Sequence, residues 1–338
     1  MQGTHRRLAQ WRVKWLIEHS TTHQLLWCID SFVLRNPPLR QAPKRWQKFY
    51  MRRYILILLT LTNLFSFGQI KPKNKTDFNT IFICVDSITY KNLFQNKFLK
   101  DTLLFCKESH QETNDNSYTG KYFIGESSTI EFFQPKKSDK FGDNFGDWGI
   151  EFKTRKIGIL DDIIGKSKLL KYPIDTSTTT FLDSLTIIPW YKTLSFKNSK
   201  NELSILEYQN EYLKYLGFTG EQIDKSMTYK EYNGILSNGK KYPRQFSMVT
   251  YIKLYADKKL IDDLQQFAIM NNCKKTKNKI ANSETTIEFI EVQKLPKFQI
   301  KEITISLLTE QNNRIVKISD NLYIKIKGKK AKLIFKDN

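Results

Sequence analysis

From Phe78 onward, apolar residues come in short runs whose spacing switches between the period of two expected of strands and the longer period of helices. Thr80-Ile81-Phe82-Ile83-Cys84-Val85 is apolar and rich in β-branched and aromatic residues, which predicts a buried strand. Asp86-Ser87 offers side-chain acceptors for the first free amides of a following helix. That helix carries Tyr90, Phe94 and Phe98, then Phe105, at near-helical spacing on one face. The polar stretch Lys107–Ser117 reads as a loop. Lys121–Ile124 and Thr129–Phe133 then read as two strands joined through Gly125-Glu126-Ser127-Ser128. The order is β, α, then at least two β.

The pattern then repeats. After the Gly/Asp-rich stretch Phe141–Asp147, Trp148–Lys153 reads as a strand, Ile159–Ile164 as a short helix, and Leu185–Tyr191 and Leu203–Tyr208 as strands. A third unit opens with the strand Phe246–Leu254 and the helix Leu260–Phe267. Strands follow at Thr286–Val292, Ile300–Leu308, Arg314–Ser319, Leu322–Ile326 and Ala331–Phe335. The string TIEF occurs at Thr129–Phe132 and again at Thr286–Phe289, at the same place in its unit, which supports an internal repeat. Glu221–Tyr242, with turn signals at Asn233-Gly234 and Asn238-Gly239, reads as a link.

Upstream of Phe78 the chain is of another kind. Met51 is followed by Arg52 and Arg53, then by the uncharged and mostly apolar run Tyr54–Phe67, and Ser66-Phe67-Gly68 places small residues at the −3 and −1 positions before Gln69. Positive start, apolar middle and small exit are the parts of an export signal. The run is shorter than the roughly 20 residues that span a bilayer core. Four of the six tryptophans and three of the four histidines precede Met51, and beyond Arg53 the only arginines are Arg155, Arg244 and Arg314. This shift predicts that translation begins at Met51 and that residues 1–50 are an over-extended start; a cytoplasmic tail before a signal anchor is the alternative. The expected organisation is therefore 51–69 signal peptide, 70–220 first domain, 221–242 linker and 243–338 C-terminal α+β domain. The expected product is secreted or periplasmic after cleavage near Gly68-Gln69, and it meets the membrane only during export.

Charge narrows the partners. The chain has 55 Lys and Arg against 34 Asp and Glu, a net of +21, but eleven of those bases and two of the acids precede Ile70, which leaves +12 beyond it. Lysine supplies nearly all of this and is spread along the chain. The arginine forks of nucleic-acid readers are missing, so no nucleic-acid partner is expected. The cysteines beyond Gln69 are Cys84, Cys106 and Cys273, an odd number without a CxxC spacing. Cys84 reads as a small buried hydrophobe, and a Cys84–Cys106 pairing stays open. No G-x-S-x-G, Walker or HExxH motif is present.

Paired β-α-β-β-β units of this length resemble the glyoxalase-like, or vicinal oxygen chelate, superfamily. FNTIFICVD, NKFLKDTLLF and YFIGESSTIEFFQP resemble its first strand, helix and acidic closing strand; DWGIEFKT resembles the start of its second half and LSILEY the end. The resemblance covers about Phe78 to Leu216. It implies a curved sheet around a substrate cup, often with a metal held by a ligand at the start of each half and a glutamate near each half's end. Carried onto this chain, the glutamates are Glu131 and Glu207, and the two strand-start positions are Thr80 and Gly149. Neither supplies an imidazole, and Gly149 has no side chain, so the resemblance implies the cup without a metal or other cofactor.

The fold expected is α+β, with paired βαβββ units forming a glyoxalase-like curved sheet and a C-terminal βα-β-rich domain. The candidate ligand-binding residues are Glu131, Glu207, Trp190 and Tyr191. Two carboxylates facing one cavity could share a proton and raise one pKa into a range useful for base chemistry; either could equally face solvent or a lysine. Trp190 and Tyr191 follow Pro189, which cannot donate to a ladder and favours an edge or bend. There they could line the cup or pin the strand. His110, the only histidine past Gln69, is expected on an exposed loop. The partner expected is a small-molecule ligand. A lyase, isomerase or dioxygenase-like enzyme of the same superfamily, or an envelope interaction protein with a vestigial cup, are the alternatives.

Overall fold

The computed structural model describes residues 75–336, apart from 115–116, 137–139, 184, 198–200 and 238–243. Its first half-unit runs β1 (Thr76–Cys84), α1 (Ser87–Asn92), a π-helical turn (Leu99–Leu103), β2 (Phe105–Glu112), β3 (Ser117–Ile124) and β4 (Thr129–Phe133). The second runs β5 (Trp148–Thr154), α2 (Ile159–Leu169), β6 (Asp175–Asp183), β7 (Thr186–Lys197) and β8 (Asn201–Tyr208). The eight strands form one sheet in the order β2-β3-β4-β1-β5-β8-β7-β6. β1 and β4 are parallel, as are β5 and β8, and β1 meets β5 antiparallel at the centre. The halves are thus arranged alike on either side of the β1–β5 seam. The sheet curls until its outer strands meet: Thr113 bridges Phe181, Asn114 N donates to Thr180 O (3.2 Å) and Thr180 N donates to Asn114 Oδ1 (2.9 Å).

The strand period of two gives this curved sheet two unlike faces. Ile81 and Ile83, Ile130 and Phe132, Ile150 and Phe152, Leu203 and Ile205 face outward into the core and are almost fully buried. The residues between them, Phe82, Glu131 and Glu151, face the concave side and stay half-buried. Solvent therefore reaches the inside of the curl.

Three short helices follow β8: α3 (Asn210–Tyr215), α4 (Gly220–Asp224) and α5 (Tyr229–Leu236). A third unit then repeats the first: β9 (Phe246–Ala256), α6 (Lys258–Met270), β10 (Lys274–Lys275), β11 (Lys279–Ala281) and β12 (Thr286–Glu291). β13 (Ile300–Lys317) and β14 (Leu322–Phe335) complete a second sheet in the order β10-β11-β12-β9-β13-β14. Here β12 lies parallel to β9 with Ile287 opposite Ile252, as Ile130 lies opposite Ile81, so the two TIEF strings hold the same place. β13 runs antiparallel to β9, as β5 does to β1.

Asp257 caps α6 by accepting from Leu260 N (2.9 Å), and Leu260, Leu264 and Phe267 form its buried stripe. Phe267 meets Phe152 edge-on at 5.1 Å, and Trp148 Nε1 donates to Gln299 Oε1 (3.1 Å). One continuous core joins the outer face of the first sheet to the second sheet, and the chain from Asn74 onward forms one compact unit. The boundary expected at 221–242 does not separate two cores.

The α+β class and the paired βαβββ sheet stand as expected, and Asp86 does cap α1, accepting from Thr89 N (2.8 Å). Three local expectations are corrected, and one strand is added. Tyr90, Phe94, Phe98 and Phe105 do not share one helix: α1 ends at Asn92, and Phe105 opens β2. Lys107–Glu112 is part of β2, so His110 stands exposed on an edge strand, its Nδ1 3.0 Å from Thr119 Oγ1. Residues 221–237 fold as α4 and α5 with a small core of their own around Phe218, Ile223, Met227 and Tyr232. Strand β6, a run of serine and threonine, was not expected at all. Cys84, Cys106 and Cys273 are free thiols. Residues 1–69, which carry the expected over-extended start and export signal, lie outside the described residues.

Candidate functional site

β4 turns Glu131 inward between Ile130 and Phe132, and β5 does the same with Glu151 between Ile150 and Phe152. Tyr118 and Tyr122 of β3 and Tyr191 of β7 feel both or one of these carboxyls, and Tyr229 of α5 feels both. Glu131, Glu151 and four phenols thus share the concave side, with Glu202 of β8 on the same face, opposite Gly149, acting on Glu151 and Tyr191. A bulge in β1 between Phe78 and Thr80 adds Asn79, whose Nδ2 donates to Glu151 Oε1 at 2.5 Å. Its buried Oδ1 has no hydrogen-bond partner.

The surroundings penalise charge. Burial pushes the Glu131 carboxyl up to about 8, and no base offsets it. Burial pushes Glu151 up to about 8 as well; Glu131 adds to the rise and the Asn79 amide works against it. Both side chains are half-buried, and the protein packed around them makes desolvation the largest cause of the rise. Burial likewise raises the four phenols well above their ordinary range, which keeps them protonated as donors.

One end of the hollow is closed by the helical segment. Tyr229 N donates to Asp77 Oδ2 (3.0 Å), Met227 N donates to Arg155 O (2.6 Å), and Arg155 pairs with buried Asp77 at 2.5 Å. Tyr229 Oη lies 3.4 Å from Thr129 Oγ1. Lys153, on the inward row of β5, is taken up here: Nζ donates to Thr154 O (3.1 Å) and sits over the rings of Tyr208 and Tyr232. Its burial lowers it to about 8.

The four candidates from the sequence divide. Glu131 and Tyr191 share the hollow with Glu151. Glu207 lies on the other face of the sheet, in register with Leu203 and Ile205, and caps α2. Its carboxylate accepts from Gly158 N (2.9 Å), Leu160 N (2.9 Å) and Thr154 Oγ1 (3.1 Å). An acid there also meets the positive end of the helix. Trp190 is the extra residue of a bulge in β7, where the register with β6 shifts beside Pro189. Its ring packs on Phe181, Tyr191 and Tyr212, part of the aromatic cluster under α3. Pro189 thus marks a bulge on an inner strand instead of an edge.

Glu151, Tyr118, Tyr122 and Tyr229 were missed. For Glu151 the signal was present: in Trp148-Gly149-Ile150-Glu151-Phe152 it alternates against three core residues.

The metal set implied by the resemblance does not fit here. Of its four positions, Glu207 faces away, and a Cβ added to Gly149 would lie 2.1 Å from Phe82 Cε1, so the Phe82 ring fills the space above that glycine. Ser204, not Glu207, stands opposite Glu151 as Glu131 stands opposite Phe82. Among the described residues no three His, Cys, Asp or Glu side chains are grouped to hold an ion.

Fold and site together define an α+β protein whose paired βαβββ units curl around an acidic, phenol-lined cup. The chain belongs to the family described as a family of unknown function, DUF5829, whose model matches residues 78–335. No curated protein sequence matches it. Among solved structures it is similar to a mutant 4-hydroxymandelate synthase from Streptomyces coelicolor, at 10% identity, a TM-score of 0.35 and coverage of 65% of this chain. It spans 63% of that enzyme's length. It is also similar to a candidate dioxygenase from Bacillus subtilis, at 9% identity and a TM-score of 0.23, covering 75% of this chain and 81% of that one.

Proposed function

We propose that this protein binds a small molecule in the cup, with Glu131, Glu151 and the surrounding phenols as its polar contacts. One observation carries the reading: Glu131 has no hydrogen bond or ion pair among the described residues, and it points to the concave side of the sheet, where burial pushes its carboxyl up. Leaving a carboxyl in such a place costs stability unless something outside the chain meets it. Tyr118, Tyr122 and Tyr191 supply donors and ring faces on the same wall, the composition common to small-molecule sites. The test is thermal unfolding of the wild-type chain against a metabolite panel. A ligand that raises the midpoint in wild type but not in Glu131→Gln/Glu151→Gln supports the reading; equal shifts in both would refute it.

A second reading, an enzyme that moves protons, is favoured by the same pair for a different reason. Carboxyls poised at about 8 can both give and accept a proton near neutral pH. We also propose that the protein acts outside the cytoplasm, a reading supported by the order of Arg52-Arg53, the apolar run and Ser66-Phe67-Gly68.

A further inference from the structure

The third unit contains an internal comparison for Glu131. Glu288 holds the same place in the second TIEF string, between Lys253 of β9 and Lys279 of β11. It pairs with both, at 3.1 Å to Lys253 Nζ and 2.7 Å to Lys279 Nζ. In the first unit the corresponding neighbours of Glu131 are Phe82 of β1 and Tyr122 of β3. Neither carries a charge. The acid is present without its bases, and aromatic rings stand where the lysines would be.

Nothing else in the hollow replaces them. Among the described residues no lysine or arginine pairs with Glu131 or Glu151, and Lys153 is held by Thr154 O and two tyrosine rings. The ring of Phe82 meets Phe133 and Phe141 edge-on, and Tyr118 meets Phe133. Two acids and a wall of rings form a site for a cation with an apolar body.

We propose that the cup takes a small organic ammonium ion, whose N–H groups occupy the place the lysine ammonium groups hold beside Glu288 and whose carbon skeleton packs on the ring faces. This rests on the reading of the cup as a ligand site. A bare divalent ion would meet the Glu131 and Glu151 carboxylates alone, since among the described residues no third acid is grouped with them to hold an ion, and calcium takes six to eight oxygens. Binding draws protons off the pair. The groups that titrate around Glu131 are Tyr118 and Tyr122 from β3, Glu151 from β5, Tyr191 from β7 and Tyr229 from α5, and Glu202 from β8 acts on Glu151. The phenols stay protonated, so the carboxyls supply the released protons.

Titration calorimetry of the full chain with butylammonium, and with butyrate and 1-butanol as anionic and neutral counterparts of similar size, tests this. At pH 7 butylammonium binds at least tenfold more tightly than either counterpart, and its heat varies with the buffer's ionisation enthalpy in the sense of proton release. Tyr122→Lys, which supplies the base found at position 279, and Glu131→Gln each weaken butylammonium at least tenfold in protein that unfolds cooperatively. Undiminished binding in folded Glu131→Gln overturns the proposal. If butyrate or 1-butanol binds as tightly as butylammonium, the cation assignment fails while the ligand cup stands. If none of the three binds folded wild-type protein, both fail.

Discussion

Glu207→Ala tests the assignment of that glutamate to the scaffold instead of the cup. The Glu207 side chain is 4% exposed and joins β8 to the first turn of α2, 47 to 49 residues earlier in the chain. Gly158, at the N-cap of α2, has no side chain with which to satisfy the helix amides, so Glu207 does it from outside. Truncation leaves the Gly158 and Leu160 amides and the Thr154 hydroxyl without their acceptor. An orphaned buried donor costs about 1–3 kcal/mol, and water can reach part of a helix end, so the three together should cost about 3–5 kcal/mol. That is a large part of the roughly 5–15 kcal/mol that holds a domain folded. Glu207→Gln keeps one acceptor but turns an amide N–H toward a donor, and should cost about 1–3 kcal/mol. Urea unfolding at pH 7 measures both, with the slope checked for constancy. A loss below about 1 kcal/mol for Glu207→Ala would mean that the cap geometry does not govern the stability of α2.

Other expectations follow from the same contacts. Glu131 and Glu151 have folded pKa values of about 8 against an ordinary value of 4.5, so the folded state binds more protons between those limits. Stability should therefore fall as pH rises from about 4.5 to about 8, by up to about 1.4 kcal/mol per pH unit for each group, and Glu131→Gln/Glu151→Gln should flatten that slope; a slope equal to wild type in urea titrations at pH 5 to 8 would contradict the burial argument. Gly149→Ala drives a methyl into Phe82 and should cost about 1–3 kcal/mol, with partial recovery when combined with Phe82→Leu; a double variant no more stable than Gly149→Ala alone would count against it. Asp77→Ala leaves the Arg155 guanidinium with Glu284, at 3.9 Å, as its remaining carboxylate and frees the amide of Tyr229, and should cost about 2–4 kcal/mol by the same unfolding assay; an unchanged midpoint would remove Asp77 as the anchor of α5. Expression with its own upstream region, followed by N-terminal sequencing of exported protein, should give a start near Gln69; any peptide from before Met51 would overturn the over-extended start.

The architecture was legible because its strands are strongly patterned. Ile81, Ile83, Ile150, Phe152, Leu203 and Ile205 all point to one core, and the two TIEF strings marked equivalent strands at a separation no local signal could reveal. β6 escaped because Thr176-Ser177-Thr178-Thr179-Thr180 has no apolar alternation: it is an edge strand with little core to face. The helices α4 and α5 escaped because each is only one or two turns long, and their stability comes from capping boxes at Thr219 and Thr228 and from packing on Tyr208. In the site, a family pattern that seeks a glutamate at the end of each half selects Glu207. Strand parity places it with Leu203 and Ile205, facing α2. Leu206, on the other parity, is also buried, so hydrophobicity alone could not tell the two faces apart there. Tyr229 lies about 100 residues from Glu131, and only the folded chain brings them together.

The central claim is that Glu131 and Glu151 face one hollow without a base. Carbon-detected NMR titration of their side-chain carboxyls, assigned with Glu131→Gln and Glu151→Gln, measures this directly. Both should titrate near 8 in the ligand-free protein, and removal of Glu131 should lower the midpoint of Glu151. Midpoints near 4.5 for both, independent of each other, would contradict the account.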